Sequence, residues 1–178
     1  MRLYHTSKTE IRQPDIHRGR QNADFGPGFY LTPDREFACR WAGKDAVINI
    51  YEFDTDGLQI REFKRDLDWF RYIFSNRNAV DSVNADVVMG PIANDTIYDT
   101  LGILTSGLIS DEDALSILLI GHEYIQVAVK TEKAAEQLRF IGSETNIDEK
   151  KYAELLKKEQ EEFRNAFNEI IDRIAGDD

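Results

Sequence analysis

Apolar and polar positions alternate along residues 46–53, Ala-Val-Ile-Asn-Ile-Tyr-Glu-Phe, a stretch rich in β-branched and aromatic side chains. A period of two with this composition predicts a strand. Shorter strands are expected at 3–6, at 29–32 and at 58–60. Residues 85–90 give a buried strand closed by Gly90-Pro91, and 123–130 (Glu-Tyr-Ile-Gln-Val-Ala-Val-Lys) and 138–141 supply the last two. Helices fall between them. One is expected over 34–43, with Thr32 or Asp34 as its cap and Gly43 near its end. A second covers 66–76, with Leu67, Phe70 and Phe74 on one face. Others cover 94–104, where Asn94 or Asp95 caps, then 110–119, opened by the capping box Ser110-Asp111-Glu112-Asp113, and 132–137.

From residue 147 the period changes. Tyr152, Leu155, Leu156, Phe163, Phe167, Ile170, Ile171 and Ile174 recur at helical spacing in a highly charged background. This predicts one long amphipathic helix whose apolar stripe needs a partner: the domain's own sheet, another protein or a second copy. The last of the four prolines (Pro14, Pro27, Pro33, Pro91) is Pro91, and the proline-free remainder of the chain fits a helical C-terminal part. No repeat or low-complexity block appears. The expectation is an α+β domain over 1–145, followed by the amphipathic helix over 146–178.

Composition narrows the function. The 178 residues suit a single core, and Lys plus Arg at 22 against Asp plus Glu at 33 gives a net charge of −11. Such a balance argues against non-specific duplex DNA binding, which relies on cations displacing counterions. The first twenty residues run the other way, with Arg2, Lys8, Arg12, Arg18 and Arg20 against Glu10 and Asp15. That excess is either a solvated loop or an anion subsite, such as one for a pyrophosphate. Cys39 is the one cysteine, so an intramolecular disulfide and a Cys-rich zinc site are excluded. His17 and His122 lack metal-ligand spacing, and no metal is expected. The longest apolar stretch, around 115–120, is far short of the ~20 residues that span a bilayer, and no secretion signal opens the chain. A cytoplasmic protein away from membranes is expected.

Three polar residues stand on predicted strands among apolar or small neighbours: His5, Tyr30 and Gln126. Each has a structural reading of its own, as a satisfied histidine, a core tyrosine and an amide that must find partners when buried. The run Asp24-Phe25-Gly26-Pro27-Gly28-Phe29-Tyr30-Leu31-Thr32 brackets a proline with glycines directly before a strand. That pattern suits a sharp turn or a close approach of backbone to ligand. No Gly-Lys-Ser/Thr follows, so it is not a P-loop.

In order along the chain, Tyr4-His5-Thr6, Gly28-Phe29-Tyr30-Leu31-Thr32, Trp41 eleven positions after Tyr30, and Gln126-Val127-Ala128-Val129 form a pattern. It resembles the ADP-ribosyltransferase superfamily on its poly(ADP-ribose) polymerase and diphtheria-toxin side, as a His-Tyr-Gln variant. Residues 3–141 are also similar to a bacterial family of uncharacterised proteins in that superfamily, which shares Asp-Phe-Gly-x-Gly-Phe-Tyr, a following Trp-Ala, a Gly-Pro-Ile-Ala segment and a late Gln.

The resemblance implies split antiparallel sheets with flanking helices, NAD as substrate, and cleavage of the nicotinamide–ribose bond through an oxocarbenium-like ribose. It implies that Tyr30 and Trp41 sandwich the nicotinamide, that the backbone at Thr6 binds the carboxamide, and that His5 holds an adenosine-side ribose hydroxyl. Gln126 then holds the nicotinamide-ribose hydroxyls, Arg20 with Arg18 neutralises the pyrophosphate, and Gly28 and Thr32 line the NAD site. Arg77 is expected as an acceptor contact. The activity implied is mono-ADP-ribosyl transfer to a protein or nucleic acid. Family analogy adds a bacterial or phage toxin or effector role with a small antitoxin partner.

Two departures matter. Thr6 stands where a Gly often follows the superfamily's His. Gln126 stands where Glu is usual, and an amide is neither a base nor a charge. Losing one well-placed electrostatic contact costs about 2.7–4 kcal/mol in an active site. Single transfer or slow NAD hydrolysis is therefore expected in place of chain elongation. Two other classes stay open: an NAD- or ADP-ribose-binding module without turnover, and an interaction protein working through its C-terminal helix.

Overall fold

The computed structural model describes residues 1–93 and 110–176. Strands β1 (Arg2–Ser7), β3 (Val47–Phe53) and β7 (Leu138–Glu144) form an antiparallel three-stranded sheet in the order β1-β3-β7. Strands β2 (Phe29–Leu31), β6 (Ile125–Val129), β5 (Val87–Pro91) and β4 (Ile60–Glu62) form a second sheet in the order β2-β6-β5-β4. Tyr4 and Thr32 exchange backbone hydrogen bonds of 2.8 and 2.9 Å, which ties β1 to the end of β2.

Alternation along each strand sorts side chains into three layers. Leu3, Tyr51, Phe53 and Leu138 from the first sheet meet Phe29, Leu31, Val87, Val127 and Val129 from the second. The far face of the second sheet carries Val88 and Ala128, covered by helix α2 (Leu67–Arg77) and by Phe25 and Phe63. The far face of the first carries Ile48, covered by helix α1 (Arg35–Arg40) and by Tyr152 of the long C-terminal helix.

The α+β class and the long helix follow the sequence pattern, the presence of two sheets agrees with what the resemblance implied, and four details depart from expectation. The second sheet is mixed, because β4 runs parallel to β5. The chain between them passes through α2, and a crossover of that kind returns the next strand in the same direction. Helix α1 stops at Arg40, with Trp41 as its C-cap, so Trp41 is not a helix-interior residue. Strand β4 begins at Ile60, two residues after the expected start. Helix α2 buries Trp69, Tyr72, Ile73 and Asn76, while Phe74 stays 36% exposed. The burial stripe is therefore rotated from the expected Leu67-Phe70-Phe74 face. Trp69 sets the rotation: it is fully buried, and its indole N–H donates to the Pro91 carbonyl at 2.8 Å.

Helix α3 (Asp111–Leu118), capped by Ser110, and the short α4 (Glu132–Ala135), capped by Thr131, lie where the pattern puts them. The expected helix at 94–104, with caps Asn94 or Asp95, lies outside the described residues. The last helix, α5 (Glu149–Gly176), rests mainly on helices α1 and α3, and its Tyr152 also reaches Ile48 on the first sheet. Tyr152 packs on Ala38 and Cys39, and Phe163 packs on Ile117 and Ile120. Leu156, counted in the expected stripe, is 41% exposed. Helix α1 already covers the sheet face that α5 would otherwise reach. Polar links pin the pair: Glu159 takes the Arg40 guanidinium and the Tyr124 hydroxyl, the latter at 2.6 Å. Among the described residues no helix is long and apolar enough to cross a membrane.

The rotated face of α2 is testable. Trp69→Ala is expected to destabilise the fold by about 3–5 kcal/mol, as large core truncations do. Phe74→Ala should cost under about 1 kcal/mol, as exposed substitutions do. Equilibrium urea unfolding of the two variants reads the difference, and equal losses would refute the assignment of the buried face.

Candidate functional site

The glycine-flanked turn before β2 is held from every side. Gly26 has φ +75°, and a Cβ there would lie 2.8 Å from Asn76 Oδ1 and 3.0 Å from Asp81 Oδ2, so only glycine fits. Arg77 donates to Asp24 Oδ1 from Nε at 3.0 Å and from Nη2 at 2.5 Å. The backbone N–H of Ala93 and Nε2 of Gln126 donate to Asp24 Oδ2 at 3.0 and 3.1 Å. Asn76 Nδ2 donates to the Asp24 carbonyl at 3.1 Å, and Lys130 Nζ donates to the Phe25 carbonyl at 2.5 Å while pairing with Asp81. The Tyr30 hydroxyl donates to the Gly26 carbonyl at 2.6 Å and accepts from the Phe25 N–H at 3.0 Å. Burial pushes this phenol's pKa well above the ordinary tyrosine value, so Tyr30 stays protonated and is no base.

His5 lies on the inward face of β1 with Leu3. Its ring sits 4.3 Å from the Phe29 ring, and its Nδ1 is 2.7 Å from the Tyr30 carbonyl oxygen. A carbonyl only accepts, so Nδ1 carries the proton. Burial lowers the His5 pKa below 6.5, with the bond to Tyr30 opposing, and the ring is neutral near pH 7. A neutral ring protonated at Nδ1 leaves Nε2 as an acceptor.

His5 and the Gly28–Tyr30 backbone line a groove of about 580 Å³. Its other wall is the loop after β1, including Ile11, Arg18 and Gly19. Side chains at Gly19 or Gly28 would not fit: a Cβ on Gly19 would collide with the Gly28 carbonyl, and one on Gly28 would lie 2.7 Å from the Val129 oxygen. The loop wall is anchored by Asn49, fully buried, whose Oδ1 accepts from the Ile11 N–H at 2.7 Å. Nδ2 of Asn49 donates to Ser7 Oγ at 2.9 Å and to the Thr9 carbonyl at 3.2 Å, and the Tyr51 hydroxyl donates to the Ile11 carbonyl at 2.6 Å.

The structure thus joins His5 to Tyr30 through a backbone carbonyl, and Tyr30 to Gln126 through the Asp24–Gly28 turn. His5 and the Tyr30 backbone line the groove, whereas the Tyr30 ring packs on the opposite face of the second sheet, the face it shares with Gln126, which stands half-buried beside Asp24. Thr6 donates its hydroxyl to the Ala38 carbonyl at 2.6 Å and so ties β1 to α1. Thr32, 5% exposed, donates to the Ile125 carbonyl at 2.8 Å and accepts from the Asp34 N–H at 3.1 Å. Trp41 is 60% exposed and meets Phe37 edge-on. Arg18 lines the groove and pairs with Asp15 at 3.1 Å, while Arg20 is exposed outside the groove lining. The Arg77 side chain, expected at an acceptor, is 5% exposed and turned into Asp24.

Asp24 and Asn49 are the residues that sequence reasoning missed as site-builders. Asn49 had a signal, an amide on the inward phase of a β-branched strand. Asp24 had none beyond its place in the motif. Among the described residues no group of three or more His, Cys, Asp or Glu is placed to hold a metal.

The neutral state of His5 has a measurable consequence. Its folded pKa lies below the unfolded 6.5, so the unfolded chain binds the proton first as pH falls. The stability that the neutral ring contributes is present above about pH 6.5 and is lost as the pH drops through the folded value. The His5 ring resonance, followed by NMR, should inflect below 6.5. An inflection above 6.5 would contradict this picture.

Comparison with curated proteins and with solved structures finds no match. A family model described as a protein of unknown function, DUF3990, matches residues 1–140, and the chain belongs to that family.

Proposed function

We propose that this chain binds NAD across the edge strand β2, with the adenosine-side ribose in the groove beside His5 and the nicotinamide end on the sheet face that carries Tyr30 and Gln126, and transfers its ADP-ribose to a macromolecular acceptor, as a mono-ADP-ribosyltransferase of the split-sheet type. The observation that carries the reading is His5: a half-buried neutral imidazole with Nδ1 tied to the β2 backbone and Nε2 left as an acceptor on a groove wall. That atom suits a ribose hydroxyl, which donates. Two sheets joined through β1 and β2 support the same reading, with His5 on one, and Tyr30 and Gln126 on neighbouring strands of the other.

The remaining roles follow from chemistry. The nicotinamide–ribose bond breaks with its electron pair leaving on neutral nicotinamide, and a nucleophile of the acceptor forms the new bond to the sugar. Tyr30 and the exposed Trp41 offer flat faces to the nicotinamide. Arg18 supplies a cation for the pyrophosphate, beside the carboxylates of Asp15 and Glu132 on the same groove. Gln126 orients ribose hydroxyls and takes no proton, so the acceptor's proton passes to water or to the acceptor's own base. The acceptor is a protein or a nucleic acid. The superfamily's toxins make a neutralising antitoxin the expected protein partner.

A second reading, NAD binding without turnover, is favoured by one observation: Gln126 is an uncharged amide engaged with Asp24. A role for α5 as a partner-binding helix is weaker, since Tyr152 and Phe163 are already buried against the domain.

Nicotinamide release measured by chromatography, with and without cell lysate as acceptor source, separates transfer from binding alone. Trp41→Ala is the clean binding test, because Trp41 is exposed and carries little of the fold. Its NAD affinity in calorimetry should fall about threefold to tenfold, the worth of one aromatic stacking contact. Absence of saturable NAD binding by the unmodified protein would refute the proposal.

A further inference from the structure

We infer that Asp24 is the positioning residue for Gln126, turning its carboxamide so that Oε1, and not the NH2, is presented to the ligand. The inference rests on the NAD reading for its functional meaning, but its geometry stands by itself. A carboxylate has no proton to give, so the group that Gln126 places 3.1 Å from Asp24 Oδ2 must be its NH2. The opposite end of the amide is then the oxygen. Among the described residues Asp24 is the one hydrogen-bonding partner of the Gln126 side chain.

Asp24 does not yield to this neighbour. Its side chain is 11% exposed, Arg77 holds Oδ1 through two nitrogens, and the Ala93 N–H holds Oδ2 alongside Gln126. A buried pair of this kind keeps its geometry, because rotating either partner leaves a charge uncompensated. The carbonyl end of Gln126 bears the negative end of the amide dipole. Facing a ribose that gains positive charge, it acts in the direction a carboxylate would, with less force.

This explains how Gln is used where charge would serve better. A Glu at 126 would face Asp24 at the same distance, and two carboxylates sharing a site oppose joint ionisation. A charge at 126 is therefore opposed less when the charge at 24 is removed. Asp24→Asn alone has a different effect. Asn has one acceptor oxygen where Asp24 serves Arg77, Ala93 and Gln126, and the Arg77 guanidinium is the strongest claimant. The Asn NH2 is then left toward Gln126, which must invert and present its own NH2 to the ligand.

The test is a set of variants in the full-length chain. Asp24→Asn is expected to lower kcat for nicotinamide release about tenfold while KM for NAD changes by less than about twofold, since the inverted dipole opposes charge that develops only in the transition state. The double variant Asp24→Asn with Gln126→Glu should recover kcat to the wild-type level or above, and the loss of melting temperature caused by Gln126→Glu should be smaller in the Asp24→Asn background than in the wild type. In 15N-labelled protein, the Gln126 side-chain NH2 should be protected from hydrogen exchange in the wild type and lose that protection in Asp24→Asn.

An Asp24→Asn enzyme with wild-type kcat, or a double variant no faster than Asp24→Asn, overturns the inference. If Asp24→Asn does not fold, the wild-type exchange decides: a Gln126 NH2 without protection overturns the inference. If the wild type neither binds nor cleaves NAD, the functional reading fails, while the coupling of the two melting shifts and the NH2 protection still decide whether Asp24 sets the amide.

Discussion

The buried ion pair between Asp24 and Arg77 is the constraint around which this site is built. Arg77 ends α2, Asp24 opens the turn into β2, and the carboxylate also takes the Ala93 N–H at the end of β5 and the Gln126 amide on β6. One carboxylate thereby connects a helix, a turn and two strands of the second sheet. Its two oxygens serve four donors, so no element of this group can shift without leaving a buried donor unmatched. Removing one partner of such a pair typically costs about 3–5 kcal/mol, mostly from the charge left behind.

From that turn the geometry passes to the groove. The Tyr30 hydroxyl closes the turn on one face of β2, and the Tyr30 carbonyl fixes the His5 ring on the other. Gly28 lets the turn lie flat against the Val129 carbonyl, and Gly19 lets the loop after β1 lie flat against Gly28. Asn49 and Tyr51 anchor that loop to the first sheet through Ile11. The groove wall and the amide of Gln126 are therefore parts of one hydrogen-bonded assembly that spans both sheets.

Helix α5 has a different part. Its N-terminal half clamps α1 through Tyr152 and the Arg40–Glu159 pair, and its middle packs Phe163 on the α3 segment. Because α1 is capped by Asp34 at its start and by Trp41 at its end, the helix steadies the element that carries the exposed indole. The apolar stripe needs no outside partner at these positions.

How much of this was legible beforehand depends on the range of the interaction. Local periodicity determined the strands, the capped helices and the long amphipathic helix, since each rests on contacts between residues a few positions apart. The motif around Tyr30 marked where a turn and a close backbone approach had to be. The sequence by itself could not determine that α2 turns Trp69 inward, because that choice depends on an indole N–H finding the Pro91 carbonyl 22 residues away. Nor could it show that Arg77 would be withdrawn from the surface, or that Gln126 would answer to Asp24 across 102 residues of chain. Those decisions belong to the tertiary structure, where buried donors and acceptors must be matched in space and the period of a single element says nothing about which partner it will meet.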